Sequence, residues 1–586
     1  MTTDLDLYGT SEPVAPVEIV RIGSVAFELQ DGAVSYLSVD GHELIRRIGF
    51  LARDRDWGTL FPAVETVERI ENGNNFRLHT KLIFENDGAC LRVDLRLSVD
   101  ASGAVFEATG HARGAFETNR TGFTVLHPIA GQQGAPIEVV HSDGRTENSE
   151  FPERIAPWQP FMDIAAITHQ VGDITCTCRF EGDVFEMEDH RQWGDASFKT
   201  YNRPLARPWP YQIADGETVR QTLRLHWKRT NETAQREPAS NPATPKFPQT
   251  AVLLTADHAR RAVGHLAHLE FVLPQRLLCH VDATLGDVAG QFAAFAELQK
   301  AAGVFVYDLE LIGDFGSDPT IDPAAPLQHY ADAMRWAGFV ADSVMLCPAV
   351  DRQSTPPGSE WPPCPPLDAI HDAARKAFAC PIMGGGMASF FPELNRKRPP
   401  IGMLDFVSHS LCPIIHDASD RSIMEMFEAI PHIATSARAF LGGADYRIGP
   451  STIAMRQNPY GSRTISNPDG RRIAMAHDDP RHRARYGAAY TLGLAAALAP
   501  AGVTVWTPAE LYGPRGLFGD DGHPHPLTEV VARLARQAGK TVLSSSTTSG
   551  EAELRFADLR FQANLTHRRQ NGLNPYEWLC EERETD

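Results

Sequence analysis

A glycine-rich stretch followed by polar residues is the most pointed candidate for chemistry. In GGGMASFFPELNRKRP, three glycines and two phenylalanines precede Glu393, Asn395 and Arg398. Glycines let the backbone approach a ligand, and aromatic rings offer a platform for the apolar face of a sugar. Glu393 could act as general acid or base while Asn395 and Arg398 hold oxygen atoms. The spacing also permits a plain alternative, in which Glu393 pairs with Arg396 on one helix.

A second cluster of reactive side chains follows an apolar strand. The segment DFVSHSLCPIIHDASD carries His409, His416 and Asp417. Histidine transfers protons near neutral pH, so His416 is a candidate catalytic residue, with His409 and Asp417 as candidate substrate contacts. The segment matches no zinc signature, and no metal is expected here. A strand-end histidine that caps backbone groups is the alternative.

The last candidate strand also ends in aromatic and acidic residues. In GVTVWTPAELYGPRG, Trp506 is a candidate substrate contact, and Glu510 is expected to face Glu393 across the mouth of a barrel. Such a carboxylate pair suits either glycoside cleavage or activation of water on an acyl carbon. Glu310, in VFVYDLELI, and Arg456 complete the candidate substrate contacts. Glu510 could instead cap the next helix.

A charge-dense motif lies in the first third of the chain, in FEMEDHRQWGDASFKTYNRPL. A solvated strand face does not need so many charges, whereas a partly buried interface must pair each charge that it removes from water. The motif is therefore predicted to lie at the seam between two domains and to shape the active-site mouth. A surface ion-pair network is the alternative. The predicted seam residues are Glu188, Asp189, Arg191, Asp195, Lys199 and Tyr201.

Hydrophobic periodicity predicts the elements that must position these residues. From Val17 to about Arg229 the period is two, as in CLRVDLRLSV, and Asp-Gly turn dipeptides punctuate the strands. This pattern predicts an N-terminal antiparallel β-sandwich over residues 1–235. Prolines and a scarcity of large apolar residues predict a linker over residues 236–250.

From residue 251 to residue 540, short apolar runs alternate with helical stretches. Strands that are apolar on both faces and separated by helices are typical of a parallel sheet covered by helices. The number of repeats favours a closed TIM (β/α)8-type barrel, with an open doubly wound sheet as the alternative. The segment AELRFADLRFQANLTH predicts a small C-terminal β domain over residues 541–586.

Composition and missing motifs narrow the function. A formal charge of −19 opposes a phosphate backbone or an anionic bilayer, so neither nucleic acid nor a membrane is expected as a partner. The chain shows no leader segment, and its nine scattered cysteines are interpreted as reduced thiols, which predicts a cytoplasmic protein. A Walker lysine and a G-x-S-x-G elbow are both missing, which disfavours phosphate binding and α/β-hydrolase chemistry.

Six segments, in fixed order from about residue 53 to residue 518, resemble the D-apionate lactonase (D-apionolactonase) family: RDRDWGT, FTVLHP, MEDHRQWGDASFKTY, FFPELNRKRPP, HSLCPIIHDASDRSIMEMFEAI and GPRGLF. The resemblance implies an N-terminal β domain, a TIM barrel and a small C-terminal β domain, in agreement with the periodicity. It also implies a cytoplasmic hydrolase that opens D-apionolactone to D-apionate during breakdown of the branched plant sugar apiose.

The predicted reaction is therefore lactone hydrolysis without a cofactor. Water attacks the ring carbonyl, a carboxylate or His416 removes its proton, and Arg398 or Arg456 stabilises the oxyanion. The expected partner is a small sugar lactone, and the sequence allows a homo-oligomer. Two alternatives stay open: a glycoside hydrolase that uses Glu393 and Glu510 as its carboxylate pair, and a non-catalytic sugar-binding protein.

Overall fold

The computed structural model describes residues 3–230, 245–356, 359–459, 464–548 and 550–582. An antiparallel β region comes first, a parallel barrel follows, and a small antiparallel sheet completes the described chain. The predicted linker over 236–250 lies mostly outside the described residues, and the predicted domain limits stay predictions.

The first region consists almost entirely of strands. A short helix, α1 (Asp4–Tyr8), precedes them. The strands are β1 (Glu18–Ile22), β2 (Val25–Gln30), β3 (Ala33–Val39), β4 (His42–Arg53), β5 (Thr59–Leu60), β6 (Ala63–Asn72), β7 (Asn75–Asn86), β8 (Ala89–Asp100), β9 (Gly103–Arg113), β10 (Phe116–Thr118), β11 (Arg120–Pro128), β12 (Pro136–His141), β13 (Thr146–Glu150), β14 (Phe161–Val171), β15 (Ile174–Glu181), β16 (Phe185–Glu188), β17 (Ser197–Asn202), β18 (Tyr211–Ile213) and β19 (Thr218–Arg229).

Strand pairing arranges this region as two layers that share β14. One layer runs β1-β2-β3-β4-β11-β17-β16-β14, and the other runs β6-β7-β8-β9-β19-β15-β14. Aromatic rings from the two layers pack against each other between the layers. The ring centroids of Phe27 and Phe76 lie 5.4 Å apart, and those of Phe50 and Phe84 lie 6.2 Å apart. The predicted antiparallel β-sandwich is confirmed.

Part of one layer is buried on both of its faces. Strands β4, β11, β17 and β16 are neighbours, and every residue of β17 is buried. Phe198 belongs to the apolar core, so the period-two alternation of a strand places Lys199 and Tyr201 on the opposite face. The same rule places Arg53 and Arg120 on that opposite face. The sandwich therefore presents a polar, buried face to the barrel.

Within the described residues, eight parallel strands form the barrel. They are β20 (Gln249–Leu254), β21 (Arg276–Asp282), β22 (Val306–Gly313), β23 (Ser343–Pro348), β24 (Met383–Phe390), β25 (Phe406–Leu411), β26 (Asp445–Ser451) and β27 (Val505–Thr507). The last strand pairs with the first through Gln249 opposite Val505. This closure confirms the TIM-type barrel, and the doubly wound alternative is wrong because an open sheet has no such pair.

Helices surround the barrel, and two short strands extend its last loop. The helices are α2 (Ala256–Val263), α3 (Leu266–Val272), α4 (Val288–Ala301), α5 (Ala324–Ala337), α6 (Leu367–Ala377), α7 (Phe391–Arg396), α8 (Asp420–Leu441), α9 (Arg485–Leu498) and α10 (Pro526–Ala535), and the short strands are β28 (Glu510–Tyr512) and β29 (Gly516–Phe518). Among the described residues, no helix combines the length and the apolar character needed to cross a membrane.

A small antiparallel sheet follows the barrel, as the sequence predicts. Its strands are β30 (Ser544–Ser546), β31 (Glu551–Arg555), β32 (Leu559–Asn564) and β33 (Trp578–Glu582). Leu554, Phe556 and Phe561 are buried in the same apolar core as the barrel, and β31 and β32 contact α9. The sheet therefore packs against the outer helix α9 and shares the apolar core of the barrel domain.

Candidate active site

The polar face of the sandwich meets the barrel at the loop that follows β25. Asp195 lies 2.8 Å from Nδ1 of His416, and Arg47 forms an ion pair of 2.8 Å with Asp417. Arg53 donates a hydrogen bond of 3.3 Å to the backbone carbonyl of His416. Loops at the carboxyl ends of barrel strands carry the active sites of TIM-barrel enzymes. The sandwich therefore covers the end of the barrel where chemistry is expected.

The rest of the charge-dense motif anchors this seam. Asp189 and Arg191 are fully buried and form a two-pronged ion pair of 2.8 and 2.9 Å. Arg191 also lies 3.3 Å from His432 of α8, so the pair connects the sandwich to a barrel helix. Removing either partner would leave a buried charge without compensation.

A cavity lies at this junction. Its lining joins the sandwich to two barrel loops, and it brings together side chains from three of the six segments that carry the family resemblance. The lining residues are Arg53, Trp57, Arg120, Glu188, Lys199, Leu205, Ile415, His416 and Met475.

His416, which lines this cavity, forms a hydrogen-bonded pair with Asp195. Nδ1 of His416 lies 2.8 Å from the Asp195 carboxylate. Burial raises the pKa of Asp195, and His190 and Lys199 oppose this shift. With Asp195 ionised, the carboxylate accepts the hydrogen bond and the His416 proton is on Nδ1. Within the described residues, the ring of His416 is hydrogen-bonded through Nδ1 and not through Nε2. Burial, reinforced by the Lys199 charge, holds the pKa of His416 well below 6.5. A neutral imidazole with an open Nε2 can accept a proton from water.

Two aromatic side chains fix the plane of the His416 ring. The His190 ring lies 4.2 Å away at a tilt of 36°, and Trp193 meets the ring edge-on at 5.7 Å. Nδ1 of His190 contacts Ser197 at 3.2 Å. His416 is therefore clamped between sandwich residues although it belongs to the barrel.

Glu188 and Lys199 form the second charged pair of the site. The Lys199 ammonium lies 3.5 Å from Glu188, and Trp193 donates a hydrogen bond of 2.9 Å to the same carboxylate. Burial alone would raise the pKa of Glu188, but the Lys199 charge opposes it and the pKa falls to about 2. Burial lowers the pKa of Lys199 to about 8, although Glu188 opposes this shift. Lys199 is therefore a cation at neutral pH that lines the cavity.

Three of these side chains could also hold a metal ion. Ligand atoms of His190, Asp195 and His416 all lie within 4.8 Å of one another, and imidazole with carboxylate suits several divalent metals. The Lys199 ammonium, however, donates to Nε2 of His190 at 3.3 Å and occupies the lone pair that a metal would need. The expectation that the site works without a metal stays a prediction.

The residues around α7 contact the sandwich but do not line the cavity. Burial raises the pKa of Glu393, and its neighbours Arg396 and Ser354 act in the opposite direction. Asn395 donates a hydrogen bond of 3.2 Å to the carbonyl of Ile155. Arg398 binds the side chain of Asn395 at 3.2 Å, and its guanidinium stacks 4.4 Å from the Phe440 ring.

The other predicted barrel residues lie in or near the barrel wall and are paired. Glu310 contacts Arg456 at 2.7 Å, and Glu510 contacts Arg515 at 2.6 Å. Although burial alone would raise it, the pKa of Glu310 falls to about 2 because of Arg456. Glu510 and Glu393 have different neighbours, and neither lines the cavity.

His409 and Trp506 are buried inside the barrel wall. His409 bonds to the Tyr446 hydroxyl at 2.8 Å, and burial lowers its pKa to about 4. The Trp506 ring nitrogen donates a hydrogen bond of 2.7 Å to the Ser451 hydroxyl, and the Trp506 side chain is 1% exposed. Both side chains have the contacts of packing residues.

Sequence reasoning missed Arg53, Arg120 and His190. The sequence contains a signal for the two arginines. Side chains alternate along RTGFTVLHP and along the strand that ends at Arg53, so the arginines lie on the face opposite to core residues such as Phe123 and Ala52. A charge that alternates with core residues in a buried strand indicates a second buried face. His190 lay within the charge-dense motif but was not selected.

Comparison with known proteins gives matches over nearly the whole chain. Residues 5–230 match the family model "D-apionate lactonase, N-terminal domain", and residues 250–539 match "D-apionate lactonase, TIM barrel domain". A curated protein of Brucella anthropi, named D-apionate lactonase, is 41% identical over 551 residues, which is 91% of this chain and 90% of the relative.

Solved structures give weaker matches. A GH36 α-galactosidase of Geobacillus stearothermophilus has 8% identity and a TM-score of 0.26, covering 94% of this chain and 91% of that one. The SrfJ protein of Salmonella typhimurium has 9% identity and a TM-score of 0.34, covering 58% and 88%. Similarities this low carry no functional inference. On the strength of the two family models and the curated relative, the chain belongs to the D-apionate lactonase family.

Proposed function

We propose that this protein is a lactonase that opens D-apionolactone to D-apionate in apiose catabolism, and that the reaction takes place in the cavity between the sandwich and the barrel. Family membership and the 41% identical relative support a lactone-hydrolysing enzyme. The cavity supports the location because it combines a proton acceptor, a cation and an interdomain cleft, where small-molecule sites occur preferentially.

His416 is the general base of the proposed reaction. Its Nε2 takes a proton from water as the water oxygen bonds to the lactone carbonyl carbon, and Asp195 stabilises the imidazolium that forms. The tetrahedral intermediate then collapses, and the bond between the carbonyl carbon and the ring oxygen breaks. His416 returns its proton to that oxygen, which leaves as a hydroxyl group. The new carboxylic acid ionises and releases one proton to solvent.

Lys199 supplies the electrophilic assistance. Its ammonium lines the cavity and is held 3.5 Å from Glu188, so its position is fixed before the substrate binds. A preorganised cation stabilises the oxyanion that develops as water attacks. The proposal therefore retains His416 from the sequence analysis and transfers oxyanion stabilisation from Arg398 and Arg456 to the sandwich.

One observation carries this proposal: the 2.8 Å contact of Asp195 with Nδ1 of His416, a residue that lines the cavity. The purified protein should release one proton for each D-apionolactone consumed, measured by titration at constant pH. It should release no phenol from aryl glycosides. Phenol release would favour the glycoside-hydrolase alternative, and binding of sugar without either product would favour a non-catalytic protein.

We also make proposals about the cellular location, the domain limits and the oligomeric state of the protein. We propose a cytoplasmic location because each of the nine cysteines is free, as in reducing compartments. The domain limits 1–235, 251–540 and 541–586, and assembly into a homo-oligomer, also stand as proposals that proteolysis and light scattering can test.

A further inference from the structure

Two arginines face each other across neighbouring strands on the polar face of the sandwich. Arg53 on β4 and Arg120 on β11 are direct cross-strand partners. They are 7% and 5% exposed, and both line the cavity. Like charges directly opposite each other destabilise a sheet, and burial increases the penalty. A stable fold normally avoids this arrangement unless something compensates the charge.

Within the described residues, neither arginine forms an ion pair. Arg53 donates only to backbone carbonyls, at 3.1 Å to Trp57 and at 3.3 Å to His416. The Arg120 guanidinium donates no hydrogen bond to any described residue, and its Nε is buried without a partner. The Tyr201 ring lies 3.8 Å from the guanidinium carbon and holds it in position. The arginine donors are therefore oriented but largely unused.

The nearby carboxylates are already engaged. Glu186 accepts hydrogen bonds from the Tyr201 hydroxyl at 2.6 Å and from the Leu205 amide at 2.9 Å. Glu188 is paired with Lys199, and Asp417 is paired with Arg47. Burial and the neighbouring Arg120 lower the pKa of Arg53 to about 10, although Asp195, Asp417 and Asp54 oppose this shift. Arg53 is therefore still charged at neutral pH. Among the described residues, the two arginines therefore form no direct ion pair, and the Arg120 donors stay available to a ligand in the cavity.

We propose that Arg53 and Arg120 form a carboxylate-binding subsite for the aldonate that the proposed reaction produces. The guanidinium fork matches the two oxygens of a carboxylate, and charge-assisted pairs of this kind are strong. This inference rests on the proposed function because it assigns the subsite to the product of that reaction. The neutral lactone gains these interactions only as negative charge develops on its carbonyl oxygen. The open-chain product therefore binds more tightly than the substrate and inhibits turnover.

Calorimetry tests the subsite without requiring turnover. D-apionate and the neutral alditol with the same carbon skeleton are titrated into the full-length wild-type protein. The carboxylate is expected to bind at least about tenfold more tightly than the alditol. Equal affinity for the two compounds would overturn the inference, since it would show recognition of hydroxyl groups alone.

Variants assign the binding to these arginines. Arg120→Met should weaken the binding of D-apionate at least about tenfold and leave the affinity for the alditol unchanged. Arg120→Lys, which keeps the positive charge, should retain part of the affinity. The matched control is Arg55→Gln, because Arg55 is an exposed arginine two residues after Arg53 that pairs with Glu117. Wild-type affinity of Arg120→Met for D-apionate would contradict the subsite.

Thermal stability distinguishes a binding role from a structural one. Because Arg120 is an unpaired charge facing a like charge, Arg120→Met should melt at or above the wild-type temperature without ligand. A structural role predicts a lower melting temperature. If the variant does not fold, Arg53→Met with the same two titrations decides the question by the same criteria.

The two proposals fail differently. A protein that binds D-apionate through Arg120 but does not hydrolyse the lactone would overturn only the proposed reaction. A protein that hydrolyses the lactone but does not prefer the carboxylate over the alditol would overturn only the subsite.

Discussion

The seam and the barrel mouth contain similar residue types but differ in how their charges are compensated. At the barrel mouth each of three carboxylates is matched by an arginine: Glu310 with Arg456 at 2.7 Å, Asp282 with Arg352 at 2.6 Å, and Glu510 with Arg515 at 2.6 Å. At the seam, Arg53 and Arg120 form no ion pair with a carboxylate among the described residues, and Nε2 of His416 has no hydrogen bond to them.

This contrast separates structural charge from reactive charge. A buried carboxylate with a close arginine offsets its own desolvation and has little left to offer a ligand. A buried cation without a partner retains its field for a substrate or a transition state. In the proposed site, the barrel therefore supplies the loop that carries His416, while the sandwich supplies Asp195, Lys199 and the two arginines.

The largest expected effect comes from His416. His416→Gln should lower kcat by about a thousandfold, within the range for loss of a general base, with an unchanged melting curve. Proton release from D-apionolactone is the measurement. The control is His329→Gln on the outer surface of α5, which should match wild type. A loss below about tenfold would transfer the base to another residue, with the barrel-mouth carboxylates as the first candidates.

Asp195→Asn should have the next largest effect. The amide cannot stabilise the imidazolium and can favour the wrong tautomer, so kcat should fall about a hundredfold while KM changes little. The exposed Asp257→Asn on α2 serves as control. A rise in KM at constant kcat would show that Asp195 binds substrate and does not position His416.

Most of the fold could be predicted from the sequence because its signals are local. Period-two alternation along β8 predicts the sandwich, and two-sided apolar runs separated by helices predict the barrel. Closure through Gln249 and Val505 depends on a pairing between distant segments. The repeat number favours that closure but does not prove it.

The candidate site could be predicted only in part. Histidine in a strand-end loop identified His416, and charge density identified Asp195 and Lys199. Arg53 and Arg120 were missed because their significance depends on the register of β4 against β11, which links residues 67 positions apart in sequence. The sequence indicates Glu393 and Glu510 because reactive groups of a parallel barrel lie at one end of the sheet, but it does not reveal the second buried face of the sandwich.

Glu393→Gln tests whether a barrel carboxylate outside the cavity contributes to catalysis. Burial raises the pKa of Glu393, and the neutral amide imitates a protonated carboxyl, so the fold should be retained. Activity should fall less than about tenfold because Glu393 does not line the cavity. A loss of about a hundredfold with an unchanged melting curve would instead make Glu393 the general base, as the barrel geometry alone suggests.

We expect kcat/KM to fall at alkaline pH, with an effect smaller than those of the variants above. Burial lowers the pKa of Lys199 to about 8, so the ammonium is present below that pH and is lost above it. After subtraction of spontaneous hydrolysis, kcat/KM should therefore decline as pH rises through about 8. Lys199→Arg keeps a cation near Glu188 at higher pH and should remove the decline. The same decline in that variant would assign it to another group.

Removal of metals should have the smallest effect. His190, Asp195 and His416 are close enough to bind a cation, but the Lys199 ammonium lies 3.3 Å from the His190 nitrogen that such an ion would need. Two positive charges at that separation repel each other in a buried site. Dialysis against a chelator should therefore leave kcat unchanged. Inactivation that one added divalent cation reverses would contradict this, because His416 would then act as a metal ligand and not as the general base.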